Sequence, residues 1–599
     1  MGMFEGLCGL ASKVRWVRVM LVGALVGLVP GCGEREPEAD LIFMSAAAHI
    51  TLDPAKMSWS HDIRVASALY DPLVRMDFNS GEVEPAVAES WAVSEDGLTY
   101  TFTLREDAKW ANGDPVTSED FIYAWRRVSL PDTAASYVKL MYVIDGVQDF
   151  YAWRTEQISE YARVRNMAGG AAGEAAAEAA EVIWQEAQAK FASDVGLEAP
   201  DPRTLVVRLE QPTPYFLQMI GFATFMPVHI ASVEEATTLN TTTGMVQVDS
   251  AYWRDPERVI SNGPYVIEDG VFKRYLRMHK NANYWNAEAV KSETLLEKIN
   301  EDPQSAFLAY SGGDVDISIA LPSLGPLPAE LVRDESRTDV HTVTAAGTYF
   351  YNFNCLPTLP DGSPNPLADP RVRVALSMGI DRQQIVGQVT RMDQPIARSF
   401  VPPGAVAGYE PPVETGVVFD PEGAKALLAE AGYPNGEGLD GLSILYNTGA
   451  GHEEVAIAIA AMWERELGVV VTTEGVEVQT FSDRVNRQDY SIARSAWFGD
   501  YMDPTTWLDK NRANNGNNDA KWNSPLHDGL LDEAQTIRDP EARFAKLAEA
   551  EAVFNAEQPI APIFHYRLVY LFDTERVKGV ELNPWARWRF DRIWVERGE

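Results

Sequence analysis

Between residues 369 and 476 the chain alternates helices and strands whose ends are marked residue by residue, and this alternation restricts the fold more than any other feature. In "ADPRVRVALSMGIDRQQIVGQV", Asp369 is placed to cap a helix and Pro370 to begin it, because the first turn needs no N–H at that position. In "FDPEGAKALLAEAGYPNG", Asp420 caps, Pro421 starts, Gly432 ends the helix and Pro434 prevents its continuation. "LSILYNT" (442–448) then reads as a strand, "EEVAIAIAAMWERELG" (453–468) as a helix and "VVVTTEGV" as the next strand. Strand–helix–strand units joined by short loops predict α/β domains.

The rest of the chain carries the same kind of signal. "LIFMSAAAHITLDP" suggests an opening strand and loop. In residues 91–128, "DG" marks a turn, "TYTFTL" alternates as a strand and "NGDP" is a second turn; Thr117 and Asp120 then occupy capping-box positions before "FIYAWRRV". Residues 151–195 differ in texture. "AGGAAGEAAAEAAEVIWQEAQAKF" is rich in Ala and Glu around a Gly-rich break, which predicts a helical excursion on the surface. "RTLVVRLEQPTPYFLQMI" (203–220) returns to strand, turn and helix. A chain of 599 residues exceeds one small core, so two or three domains are expected. No fixed-period repeat is visible.

The N-terminus predicts export. Lys13, Arg15 and Arg18 precede the apolar run "VMLVGALVGLVPG", too short for a permanent membrane span, and Cys32 follows. "VPGC" (Val29 to Cys32) resembles a bacterial lipobox, with Cys32 the acylated first residue of the mature chain; Pro30 and Val29 depart from the commonest residues there. The alternative is an ordinary signal peptide with an incidental cysteine. Cleavage after residue 31 removes three basic residues and Glu5, a net +2, taking the formal charge from −36 to about −38. Such acidity repels phosphate backbones and disfavours a nucleic-acid partner. "GEREPEAD" (33–40) reads as a polar tether. Cys8 would leave with the signal, so Cys355 is the one free thiol of the mature chain, and it reads as a small buried hydrophobe.

Catalytic and cofactor motifs fail on inspection. "GEGLDG" (436–441) matches the dinucleotide pattern but follows a helix and precedes a strand, the reverse of what that site needs. "HEEVA" begins like a zinc-protease helix at His452, yet Ala456 stands where the second histidine must be. No cofactor, metal site or catalytic group is expected.

The most informative stretch is "RSAWFGDYMDPTTWLD" (494–509), where Asp500, Asp503 and Asp509 sit among Trp497, Phe498, Tyr501 and Trp507. A carboxylate among aromatics is costly unless a positive charge meets it. That stretch is the last of nine that occur in one order: "LDPAK" (52–56), "LYDPLV" (69–74), "VAESWAVSEDGLTYTFTLREDAKWANGDPVTSEDFIYAWRR", "SNGPYVI" (261–267), "NANYWN" (281–286), "DPRVRVALSMGIDR" (369–382), "AKALLAEAGYP", "LYNTGAGH" and "ARSAWFGDYMDPTTWL". Together they resemble the extracytoplasmic oligopeptide-binding proteins of ABC importers, the peptide and nickel solute-receptor family. The similarity covers the mature chain apart from the Ala/Glu-rich stretch around 150–195, an apparent insertion.

The resemblance implies a two-lobed α/β fold of the type II periplasmic-binding-protein kind, with an extra domain on the first lobe. After a signal peptide (1–31) and tether (32–40), the first lobe would take 40–70, 205–345 and 566–599. The extra domain would take 71–204 and the second lobe 346–565, with the hinge at the chain crossings near 345 and 565. It also implies no reaction. The protein would be a monomeric, lipid-anchored receptor that hands short peptides to a membrane permease. A nickel chelate, haem, a sugar or a cell-wall peptide is the alternative cargo within the fold; a peptide chaperone or hydrolase is the alternative outside it. By resemblance Asp500, in "WFGDY", meets the peptide's α-ammonium, with Trp497 and Tyr501 as pocket wall. The alternative for Asp500 is a permanent internal arginine. Backbone at Ser58, Trp59 and Ser60 and at Ala496, Trp497 and Phe498 would pair with the peptide as an added strand. Arg494 and His452 would meet its carboxylate, or serve as a strand-face salt bridge and a helix-entry residue. Asp503 and Pro504 would shape the turn. Some relatives bridge the strand near 346 to the position of Phe498 by a disulfide; Ala346, Gly347 and Phe498 carry no thiol.

Overall fold

The structure, a computed structural model, describes residues 39–49, 51–167, 173–255, 257–320 and 326–597. The signal segment, Cys32 and the tether as far as residue 38 lie outside the described residues. Among the described residues no helix is long and apolar enough to cross a membrane.

The expected α/β alternation organises a ten-stranded mixed sheet. Its order is Tyr265–Val271, Tyr275–Lys280, Thr294–Ile299, Leu41–Ser45, Ile317–Ala320, Ile560–Leu571, Val340–Phe353, Ile492–Phe498, Ser443–Asn447 and Thr472–Val476. The two long strands, Val340–Phe353 and Ile560–Leu571, run antiparallel through the middle. At one end of the pair Ile560–Leu571 takes Ile317–Ala320 as its other neighbour; at the opposite end Val340–Phe353 takes Ile492–Phe498. The pairing of the long strands breaks between these ends, passing from Thr344↔Arg567 to Thr348↔His565. At the break the Ala346 N–H bonds Pro584 O at 2.7 Å, and the His565 N–H bonds Pro395 O at 2.8 Å. Backbone groups released from one ladder thus find partners on other segments, as buried groups must.

The caps act as read. Asp369 accepts from the Arg371 N–H ahead of helix Pro370–Met378, and Asp420 from the Gly423 N–H ahead of Pro421–Glu430. Helix His452–Leu467 ends at Gly468, whose φ of 71° is a left-handed conformation suited to glycine. One expected helix is shorter than "RVALSMGIDRQQIVGQV" suggests. It stops at Gly379, and Asp381 caps a new turn by accepting from the Gln384 N–H. The aspartate offers the backbone an alternative to continued helix.

Residues 88–208 supply a separate four-stranded sheet, Ala88–Val93, Thr99–Leu104, Thr204–Arg208 and Leu197–Asp201 in that order. Its strand Thr99–Leu104 buries Tyr100, Phe102 and Leu104, one face of the alternation. Helix Ser118–Val128 starts where Asp120 accepts from the Thr117 N–H at 2.8 Å, and it buries Phe121, Ala124, Trp125 and Val128.

The Ala/Glu-rich stretch forms two helices, Val147–Met167 and Glu174–Asp194. It is anchored more firmly than a loose surface excursion. Arg154, fully buried, grips Asp132 with two bonds of 2.8 and 3.1 Å and donates to Gly244 O at 2.8 Å. Cys355 is half-buried rather than buried; burial of the thiol still pushes it up to about 11, away from reactivity.

Candidate functional site

Strand Ile492–Phe498 carries the aromatic-rich stretch into position. One edge pairs with Val340–Phe353 from Phe353↔Ile492 to Gly347↔Phe498. Its other edge meets Ser443–Asn447 only at Ile492 and Ala493. Gly499 N–H points to Ala346 O at 2.9 Å, on the paired side. By the alternation of an antiparallel strand, the backbone groups of Ala496 and Phe498 face the other way. No strand among the described residues pairs with them there. The strand therefore offers an open hydrogen-bonding edge at Ala496–Phe498, next to the exposed Phe498 ring. Gly347 lies beneath that ring, and a Cβ at 347 would overlap it.

Beyond the strand come the three aspartates, and their partners separate them. Asp503 is held bidentately by Arg543 at 2.6 and 2.8 Å and also accepts from the Thr505 N–H, so it fixes the turn as expected. Asp509 is held by Arg512 at 2.6 Å. Asp500 has no ion pair within 4 Å among the described residues. The Tyr137 hydroxyl donates to its Oδ1 at 3.0 Å, and its own N–H donates to Thr506 Oγ1 at 3.0 Å. Burial pushes the Asp500 carboxyl up to about 6, against the opposing pull of the Tyr137 hydrogen bond and the more distant Arg587 charge. The internal arginine that would neutralise Asp500 is thus beyond contact.

Asp500 and Tyr501 border two cavities. One, of about 410 Å³, is also lined by Trp497, Lys139, Thr506 and Lys510. The other is a smaller, more apolar space bounded by Ile63, Phe222, Met226, Arg587 and Trp588. Trp497 is fixed by its Nε1–H to Thr506 O at 2.7 Å, and Tyr501 stacks on Tyr215 with ring centroids 5.1 Å apart.

Arg494, His452 and Phe498 gather around two tyrosines. Arg494 donates to Tyr566 at 3.1 Å and to Asn447 at 3.3 Å, stacks over Tyr349, and has no carboxylate partner within 4 Å among the described residues. Phe498 packs on Tyr566, centroids 4.9 Å apart, and His452 Nδ1 lies 3.3 Å from the Tyr349 hydroxyl. Desolvation, with Arg494 nearby, holds the His452 imidazole down at about 3. Of the two expected carboxylate partners, only Arg494 is charged at neutral pH. His452 is the first residue of its helix and is buried. The remaining expected segment, Ser58 to Ser60, is not a strand. Trp59 is extended and exposed, and Ser60 begins helix Ser60–Leu69, so this segment offers helix N-terminal N–H groups.

Sequence reading did not find Tyr137 or Arg587. Each comes from a segment with no local motif, 363 and 87 residues from Asp500.

The chain and its fold match known proteins. The model for bacterial extracellular solute-binding proteins, family 5 (middle), matches residues 82–519. The chain is 32% identical to the periplasmic murein peptide-binding protein MppA of Escherichia coli (strain K12) over 542 residues, 90% of this chain and 88% of that protein. It is also 32% identical to the oligopeptide-binding protein OppA of Bacillus subtilis (strain 168), covering 95% and 97% of the two chains. The structure of Haemophilus influenzae OppA in complex with RPPGFSPFR superposes with a TM-score of 0.69 at 27% identity, covering 93% and 99%. The chain belongs to the family 5 bacterial extracellular solute-binding proteins, and its fold is the two-lobed α/β type II receptor fold.

The raised Asp500 pKa has a consequence for the empty protein. The folded state holds this proton more tightly than the unfolded chain, whose carboxyl titrates near 3.8. The stability this contributes is full below about pH 4 and lost as pH rises through 6. Ligand-free Asp500→Asn is therefore expected to melt above wild type at pH 7.5, with the gain disappearing between pH 6 and pH 4. Thermal denaturation across that range checks it; a variant that melts lower at pH 7.5 would mean that Asp500 is structural.

Proposed function

We propose that this protein is a lipid-anchored receptor that captures short peptides outside the cytoplasmic membrane and delivers them to an ABC permease. The observation that carries the reading is Asp500: alone among the three aspartates of its loop it lacks a fixed cation. A receptor for peptides of varied sequence must use what they share, a backbone and two charged ends. The unpaired carboxylate suits an α-ammonium, and the open edge at Ala496–Phe498 suits an added strand. Arg494, with no acid of its own, suits a carboxylate. The names of the relatives, which bind murein peptide and oligopeptides, point the same way.

The first lobe comprises 40–70, 205–345 and 566–599, the extra domain 71–204 and the second lobe 346–565. The break in pairing at Ala345–Gly347 and His565 is the hinge, since bonds there are already exchanged for other partners. Saturating peptide should then reduce the radius of gyration measured by small-angle scattering; superimposable curves would remove the hinge.

Anchoring rests on Cys32. Acyl chains bind a membrane with about 0.8 kcal/mol per buried CH₂, so two or three suffice for stable attachment. Wild-type protein should partition with membranes, and Cys32→Ser should be released unlipidated. Wild-type protein found wholly soluble, with residue 32 unmodified, would refute the anchor.

The central test concerns Asp500 and the amine together. Losing a desolvated charge pair costs about 2–5 kcal/mol, which corresponds to a roughly 30- to several thousand-fold loss of affinity for Asp500→Asn. N-acetylation of a tri- to pentapeptide should weaken wild-type binding severely and the variant far less, because the pair is already broken. Calorimetry on the four combinations measures this non-additivity; equal binding of free and acetylated peptide to wild type would sink the amine site.

A further inference from the structure

The small cavity beside Asp500 is bordered by three arginines that differ in one respect. Arg75 is held by Asp71, Asp591 and Tyr284. Arg589 is held by Asp591 and Glu84. Arg587 has no side-chain hydrogen bond and no ion pair within 4 Å among the described residues; it has only the face of Phe222, 5.6 Å from its guanidinium carbon. Its backbone is pinned, because the Arg587 N–H donates to Asn583 Oδ1 and its C=O accepts from Asn583 Nδ2. A second unpaired cation stands behind it. Arg64 is 1% exposed, stacks on Trp588 at 5.6 Å, and leaves Nε and Nη2 without partners. Ile63 and Trp588, the immediate neighbours of these two arginines in sequence, both line the cavity.

Guanidinium groups held away from water with no carboxylate in contact are unfavourable in the empty protein. Arg64 feels the buried Glu297 at longer range, whereas Arg587 has only Asp500 as an acid within electrostatic reach. A peptide ammonium on Asp500 would leave Arg587 unanswered. We propose that Arg587, reinforced by Arg64, is a second recognition element that binds a carboxylate on the peptide's amino-terminal residue, so that the preferred ligands begin with an acidic side chain. This rests on the peptide-receptor reading and adds a side-chain preference to it.

The test compares Asp-Ala-Ala with Asn-Ala-Ala, isosteric apart from the charge, on the full-length protein by calorimetry. Wild type is expected to prefer the acidic peptide by about 10- to 100-fold, the range of a charge-assisted hydrogen bond. In Arg587→Met the preference should collapse toward one. Arg64→Met should reduce it in part and, because it removes an unpaired buried charge, raise the melting temperature of the empty protein. Equal binding of both peptides to wild type would overturn the inference while leaving the peptide reading intact; failure of both to bind would overturn the two together. Retention of the preference in Arg587→Met would also refute it. So would a loss of preference in wild type accompanied by stabilisation with millimolar acetate, since the arginines would then hold a free anion.

Discussion

The buried ion pair between Asp503 and Arg543 is the fixed point of the ligand-facing region. It ties the turn after strand Ile492–Phe498 to helix Pro540–Glu557, and both side chains are almost fully buried. Asp503 also accepts from the Thr505 N–H and hydroxyl, while Thr505 meets the Tyr501 hydroxyl at 3.1 Å. The guanidinium lies over Tyr215, the ring on which Tyr501 stacks. One pair therefore orders the residues on both sides of the cavity wall. Removing either partner would strand the other charge, at a cost of about 3–5 kcal/mol. Rigidity at Asp503 is what allows Asp500, three residues earlier, to remain unneutralised and still be held in place.

The central strand pair serves the same region differently. Ala346 sits at the interruption, where its C=O takes the Gly499 N–H and its N–H goes to Pro584. The loop that carries Asp500 and the segment that carries Arg587 thus both hang from one residue of the break. Groups that recognise charge are positioned by backbone bonds at the least regular point of the sheet, a place where irregular geometry commonly re-aims side chains.

The fold was legible where the signal is local. Asp369–Pro370 and Asp420–Pro421 each pair a cap with a helix-starting proline, and "TYTFTL" alternates with the pleat. Ser524–Pro525 and Asp539–Pro540 use the same device, each cap accepting from the backbone N–H three residues on. The site was legible only in part. Resemblance singled out Asp500, but the question of whether an arginine neutralises it depends on contacts that no short window contains. Resemblance put His452 beside Arg494 as a carboxylate partner; enclosure beside Arg494 makes it neutral. Resemblance also put a peptide-pairing backbone at Ser58 to Ser60, whereas the chain enters a helix at Ser60. The anchoring of the Ala/Glu-rich helices by Arg154 depends on Asp132 and Gly244, which are distant in sequence.

The order of the ten strands also governs how the molecule can be assembled. Leu41–Ser45 must await Thr294–Ile299 and Ile317–Ala320, and the two halves of the sheet are joined only when Ile560–Leu571 docks against Val340–Phe353. Contacts of such long sequence separation make folding slow, since closing large loops costs entropy before the contacts are won. A nascent chain short of residue 560 holds two unlinked half-sheets with bare edges. Joining of the two halves is consequently a late event, and a growing chain keeps edges open to mispairing until strand Ile560–Leu571 arrives.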